Sequence, residues 1–463
     1  MDRTNNKRKL QAIRKFSRDE LRQSFRNVSW GYRGKVCDVV GTIVEAMLPN
    51  VNLGSIVELE IPNRKDQVIG EVVGFRKNRV LVLPYNHLSG VSQGCAIKEL
   101  SSWNQIPAGD FLLGQVIDPF MNSLSKEKLK WDDSCHQVDL DTPPPNPLER
   151  QRISHSLSMG VRAIDGTLTF GQGQRIGIMA GSGVGKSVLM GMIAKNAAAD
   201  INVIALIGER GREVREFIEK DLGEEGLKRS VIVTVTSDQS PLMRIRGAKV
   251  ATSIAEYFSS QGKNVMLMMD SLTRIALAQR EIGNAIGEPP TTKGYTPSVF
   301  SLLPKLLERS GPQIEGRGSI SGLYTVLVDG DDFNDPIADA TRSILDGHIN
   351  LSRSMAAKGH FPAIDISTSS SRVMRDIVAP HHWDLALKLK GLLGIYQENI
   401  DLIQIGAYQS GTNPQLDEAI KLMPHINSFL KQDMNEFSDL GSAIDRMIGI
   451  MGNSNFDNTL EKN

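Results

Sequence analysis

The chain has 463 residues, and its 53 Lys and Arg are matched by 53 Asp and Glu, so the formal charge is +0 and no global attraction for a polyanion exists. Apolar residues at 40% and charged residues at 23% fit a globular protein, and at about 150 residues per domain the length suggests about three domains. No apolar stretch approaches the ~18 residues of a spanning helix, no signal-like apolar region follows the N-terminus, and Cys37, Cys95 and Cys135 form no disulfide framework or paired metal spacing; the expectation is a cytosolic chain without structural zinc.

Residues 1–30 read as a basic amphipathic arm. Nine of the first 26 residues are Lys or Arg, with Leu10, Ile13, Phe16, Leu21 and Phe25 at helical intervals. The apolar face suits docking on another surface, with a solvated tail as the plain alternative. Residues 31–105 change to short β-branched runs divided by glycine: Val36 to Val44, Ser55 to Ile61, Gln67 to Phe75 and Arg79 to Leu83. Such runs predict a small β-barrel. After the proline-rich Thr142 to Pro147, strand-like runs alternate with helical segments, at Ile176 to Met179, Val203 to Ile207, Val231 to Val235, Val265 to Met269 and Tyr324 to Val328. That rhythm predicts an α/β domain with a mainly parallel sheet over residues 106–380. Residues 381–463 turn helical, with Leu385, Leu389, Leu392, Leu393 and Tyr396 near helical spacing. His381-His382-Trp383 opens that region as a helix cap or surface patch, and Met190, Met192 and Met266 to Met269 read as core.

The sharpest motif is Ala180-Gly181-Ser182-Gly183-Val184-Gly185-Lys186-Ser187, set between an apolar strand and a helical run. A triphosphate needs backbone N–H groups that wrap it without side-chain clash, a cation for the β/γ oxygens, and a hydroxyl for a magnesium ion. Gly181, Gly183 and Gly185 suit the first need, Lys186 the second and Ser187 the third. Asp270, ending the strand after Met269, fits the acid that holds the metal's water shell. Any buried strand can end in Asp, so it gains meaning from the phosphate loop. Glu209, following Val203 to Ile207, suits a water-positioning carboxylate, while a solvated, salt-bridged helix start remains equally open from spacing alone. Nothing in the local pattern singles out Arg372 among the arginines.

From about Pro147 to Gly411 the sequence resembles the type III protein-export ATPases, relatives of the catalytic subunits of rotary ATP synthases. The landmarks are the phosphate loop with Ser187 to Met192, Gly208 to Val214, Asp270 to Arg274, Gly287 to Tyr295, Leu306 to Arg309, Asp346 to Ile349 and His360 to Asp365. The stretch Ala180 to Met192 and the tail Gly406 to Pro414 look more like the flagellar branch than the injectisome branch. The family's Gly-x-Pro-Leu-Asp-Gly turn is replaced by Met121-Asn122-Ser123-Leu124-Ser125.

The resemblance implies a P-loop ATPase core between the barrel and the helical domain, with ATP and Mg2+ as its ligands. It implies that Glu209 positions the attacking water and that Arg210 is its neighbour. Glu213 and Asp270 would serve the metal beside Ser187, and Arg372 would be an arginine finger. Phe361 and Tyr408 would be the two walls around the adenine. One chain carrying both water-positioner and finger can build a ring of copies, which predicts a homo-oligomer, expected to be a hexamer. Its expected partners are export substrates and chaperones, and the stalk, regulator and gate proteins of the apparatus. The expected place is cytoplasmic, peripheral to the inner membrane. Two rivals differ in class. An RNA-translocating ring would need a basic, aromatic N-terminal surface, yet residues 34 to 100 offer only Phe75 and Tyr85. A non-catalytic rotary subunit would have no need of Lys186 and Glu209 together.

Overall fold

The computed structural model describes residues 33–456 except 63–66, 101–103, 126–128, 132–134, 329–331 and 333–334, with 453–456 as backbone only. The arm expected over residues 1–30 lies outside the described residues. Two compact units part between residues 103 and 104.

In the first unit, β1 (Arg33–Val40), β2 (Ile43–Met47), β3 (Ile56–Glu60), β4 (Val68–Arg76), β5 (Arg79–Pro84) and β6 (Ala96–Glu99) form a closed barrel in the order β1-β2-β5-β4-β3-β6. The run expected from Val36 to Val44 is divided by a turn at Gly41, where φ is 61°. Alternation places Val44, Val57, Leu59, Val72, Val82 and Ile97 inside at 0% exposure. The closing strand β6 pairs with both β1 and β3. Its four residues are too short to show alternation, so the sequence did not announce it. Closure removes the unpaired strand edge.

The second unit is built on a nine-stranded sheet. Its main path uses β7 (Val116–Ile117), β8 (Arg175–Ala180), β9 (Ile201–Glu209), β10 (Ser230–Thr236), β11 (Val265–Asp270), β12 (Ser319–Leu327), β13 (Gly347–Leu351) and β14 (Ile364–Ser371). The spatial order is β14-β13-β8-β12-β11-β9-β10-β7. Neighbours along that path are parallel except β13 with β14, and a short segment at Gly311–Pro312 adds antiparallel to β12. Every residue of β9 and β11 is buried, as a parallel sheet covered on both faces requires. Met190, Met192 and Met266 to Met269 are core residues at 3% exposure or less.

Two strands were not visible as apolar runs. β13 carries His348 and Asn350, and β14 is an edge strand of Ser and Thr with a half-exposed face. β12 starts well before Tyr324 because its first half uses small residues, Ser319, Ser321 and Gly322.

Helices α1 (Arg162–Thr167), α2 (Lys186–Asn196), α3 (Pro241–Ser260) and α4 (Leu272–Ile286) belong to this layer, and α5 (Pro380–Glu398), α6 (Pro414–Leu430) and α7 (Leu440–Phe456) form the C-terminal group. One hydrophobic core runs from the sheet into these last helices. A Cβ on Gly166 would meet Met447 Sδ and Phe429 Cζ at 2.7 Å, so α1 touches α6 and α7 directly. His382 departs from the expected surface patch: it is 3% exposed, and its Nε2 meets the Gly166 carbonyl at 2.8 Å. That carbonyl lies near the end of α1, where backbone acceptors lack helical partners. At the altered turn, Asp118 Oδ1 accepts from the amides of Phe120 and Asn122 at 2.8 and 2.9 Å, with Met121 at φ 65°. Among the described residues, no helix is long and apolar enough to cross a membrane.

Candidate nucleotide site

The site lies where the parallel strands end. β8 delivers Ala180 to the sheet's C-terminal edge, and the loop Gly181 to Gly185 leads into α2 at Lys186. Gly183 at φ 79° and Gly185 at φ 94° occupy the left-handed region, which glycine enters without strain. Val184, 1% exposed, anchors the loop in the core. The first turn of α2 presents free amides and the positive end of its dipole, an arrangement that favours an anion.

Around the loop is a cleft of about 510 Å³, lined in part by Lys186, Ser187, Glu209, Arg210, Glu213 and Arg274. Lys186 Nζ forms a short ion pair with Asp270 Oδ1 and lies 3.9 Å from Glu209 Oε1. Thr325 Oγ1 donates to the same Asp270 oxygen at 2.7 Å. The phosphate-loop cation is thus held between two carboxylates. Burial, then the nearby charge of Asp270, pushes Glu209 up to about 7, against the opposing pull of Lys186.

Local backbone explains the aim of Glu209. The pairing of β9 with β10 shifts between Ile207 and Glu209, leaving Gly208 as an extra residue at φ 75°. Such a bulge re-aims the following side chain. A Cβ on Gly208 would also lie 3.1 Å from Arg274 Cβ and 3.2 Å from its Cγ, so the glycine lets the Arg274 stem pass. Beyond it, Arg210 is largely exposed and lies 3.8 Å from Glu213, a further carboxylate lining the same cleft as Glu209.

The structure therefore brings together the loop Ala180 to Ser187, Glu209, Arg210, Glu213 and Asp270. The donor set offers oxygen: the Ser187 hydroxyl and the three carboxylates. Among the described residues, no group of three or more His, Cys, Asp or Glu forms a metal cage by itself. A hard cation shared between such oxygens and a ligand's phosphates fits this set.

Phe361 stands beside the loop, its ring 3.7 Å from where a Gly185 Cβ would be. It also lines a second cleft of about 710 Å³ with Asn427, Lys431, Gln432, Asp433 and Glu436. The Gln432 amide donates to the Phe361 carbonyl at 3.0 Å. Tyr408 lines neither cleft. Its hydroxyl donates to Asp417 Oδ1 at 2.8 Å, within its own loop and the start of α6. Arg372 is exposed at the opposite edge of the sheet, following Ser371, which pairs with the first residue of β13.

Sequence reading missed Thr325, Arg274 and Gln432. Arg274 closes the landmark Asp270 to Arg274, whose pattern assigns it no role. Thr325 carries no motif, and only the pairing of β11 with β12 brings it to Asp270.

Comparison with known proteins adds the context. The model of the ATP synthase alpha/beta family, nucleotide-binding domain, matches residues 160–371, and that of the family's beta-barrel domain matches residues 36–100. The T3SS EscN ATPase C-terminal domain matches residues 378–449. Over 421 residues, 91% of this chain and 95% of the relative, the sequence is 51% identical to the Flagellum-specific ATP synthase of Bacillus subtilis (strain 168). The assembled ATPase EscN from the enteropathogenic E. coli type III secretion system superposes with a TM-score of 0.85 at 46% identity, covering 90% of this chain and 99% of EscN. EscN in complex with its central stalk EscO gives 0.82 at 45%, with the same coverage of 90% and 99%.

Proposed function

The chain belongs to the family of flagellum-specific ATP synthases and type III secretion ATPases, and on that premise we propose that it hydrolyses MgATP in a homohexameric ring that serves flagellar protein export. ATP hydrolysis itself comes with the family. The flagellar assignment is supported by the 51% identity to the flagellar relative, against 46% to EscN.

In this reading the amides of Gly181, Gly183 and Gly185 wrap the phosphates and Lys186 meets the β/γ oxygens. Lys186 must then exchange a carboxylate for a phosphate, which releases the Asp270 oxygen it holds. Ser187, Asp270 and Glu213 hold Mg2+, which when bound neutralises charge on the phosphates. Glu209 accepts a hydrogen bond from the attacking water and aims it in line with the leaving group. Phe361 offers its ring to the adenine base. Arg210 steadies Glu213 at the rim.

A single observation carries the ring: Glu209 stands at the C-terminal ends of the parallel strands and Arg372 at their N-terminal ends. A finger so placed serves the next subunit's nucleotide, as a closed head-to-tail ring allows. As EscN does with EscO, this ring takes a central stalk, and it delivers export substrates and chaperones to the gate from the cytoplasmic face of the inner membrane. The basic arm over residues 1–30 meets the regulator or the membrane.

Mixed rings test this reading. Arg372→Ala and Glu209→Gln chains are each expected to lose hydrolysis, by about 10³-fold for the finger. Mixing them should restore turnover, and co-expression in a flagellated bacterium lacking its own export ATPase should restore swimming. If turnover returns in no mixed ring, the shared site is wrong; if it returns without swimming, the flagellar assignment is wrong.

A further inference from the structure

Resting on the reading of Arg372 as a finger for the neighbouring subunit, we propose that Gln174 is the positioning residue that fixes Arg372.

Gln174 immediately precedes β8 and is 0% exposed. A primary amide buried so completely must have its donors and acceptor satisfied. Both of its donor bonds go to segments that hold the finger, and its acceptor closes its own turn. Its Nε2 donates to the Asp346 carbonyl at 3.1 Å and to Ser371 Oγ at 3.0 Å, and its Oε1 accepts from the Gly171 amide at 2.8 Å. The Asp346 carbonyl is also the acceptor for the Arg372 amide, at 2.9 Å. Ser371 is the residue before Arg372, and its hydroxyl passes the chain on to the Thr169 carbonyl at 3.1 Å. Gln174 therefore grips the residue before the finger and the carbonyl that holds the finger's own amide.

Asp346 is held from its other side. Its Oδ2 accepts from the Arg175 amide at 3.1 Å and from Arg175 Nε at 3.2 Å. The backbone at Arg372 is pinned while its guanidinium stays exposed, with one bond to the Arg342 carbonyl at 3.0 Å in the last turn of the helix Pro336–Ile344. A fixed root with an exposed head, held by a single bond it can exchange, is what a group reaching into another subunit requires. Small misplacements of such a group lower the rate of the chemical step rather than the binding of substrate.

The same strand that starts beside Gln174 carries the chain's own phosphate loop at its far end, roughly 20 Å away at 3.3 Å per residue. The test must therefore separate an effect on the neighbour's site from an effect on the chain's own. Rings of Gln174→Met keep the side-chain length and lose the three hydrogen bonds. They are expected to show kcat lowered about tenfold with the KM for ATP within about twofold. Mixed with Glu209→Gln chains, they should hydrolyse ATP faster than either parent ring, because Glu209 of one chain then meets an intact finger from the other. Ser371→Ala, a milder change that removes one acceptor of the clamp, should show the same pattern and decides the matter if Gln174→Met does not fold. The reference arm is Arg372→Ala mixed with Glu209→Gln. If that arm recovers while the Gln174→Met and Ser371→Ala arms only average their parents, or if their kcat is unchanged, the positioning role is overturned. If the reference arm itself fails, the finger reading falls and this inference falls with it.

Discussion

Glu209 is asked to be a carboxylate in a place that disfavours one. Burial and the neighbouring Asp270 raise it to about 7 from an ordinary value of 4.5, and Lys186 opposes that rise only in part. In the nucleotide-free protein the folded state therefore keeps a proton that the unfolded state has released between pH 4.5 and about 7, and stability falls as pH rises through that window. Glu209→Gln should accordingly be more stable than the wild type at pH 8, by on the order of 2 kcal/mol, with the gap closing below pH 4.5; thermal unfolding at the two pH values reads it. Activity has the opposite slope, because the ionised carboxylate is the stronger acceptor for the attacking water and the form that can take up its proton. The wild-type kcat/KM should decline as pH falls below about 7, and absence of that limb would show that another group sets the water.

Strand ends do most of the positioning at the next scale. β8, β9 and β11 finish at one sheet edge, so parallel pairing alone gathers Ala180, Glu209 and Asp270. The final aim depends on the bulge in β9. Gly208→Ala would put a Cβ at φ 75° and 3.1 Å from Arg274, with an expected cost of about 1–2 kcal/mol and displacement of Arg274 from the cleft. A lowered melting temperature with a raised KM for ATP is the predicted result; unchanged values of both would remove the steric account of this glycine. The elements hidden from sequence reading share a physical cause. β6 is too short for alternation, β14 is a polar edge strand, and the first half of β12 is built from small residues, so none offers the apolar periodicity that marks a strand.

Across the whole molecule, a buried cation ties the nucleotide domain to the C-terminal helices. Arg162 is 3% exposed and bonds Glu436, the Lys431 carbonyl and, at 3.1 Å, the Phe429 carbonyl. Its backbone amide also donates to Gln432 Oε1 at 2.8 Å. Gln432 in turn donates its amide to the Phe361 carbonyl, so the clamp reaches the second cleft. Arg162→Met keeps the volume and leaves two carbonyls without their donor; the expected loss is about 2–3 kcal/mol in urea unfolding, with earlier proteolytic release of the helices after residue 380. Full retention of stability would mean that apolar contact alone holds this junction.

The sequence alone determined the chemistry of the phosphate loop, because glycine, lysine and serine at that spacing between a strand and a helix leave few other uses. It also determined the succession of barrel, α/β core and helices, since hydrophobic periodicity is a local property that survives without coordinates. Only tertiary structure decided what meets what. Thr325 reaches Asp270 through strand pairing, Phe361 reaches Gly185 from the far end of the chain order, Tyr408 stays with Asp417, and Arg372 stands on the other edge of the sheet from the loop. Apart from the local Tyr408–Asp417 bond, those placements involve residues tens to hundreds of positions apart, and they depend on sheet order and register, which no short stretch of sequence encodes.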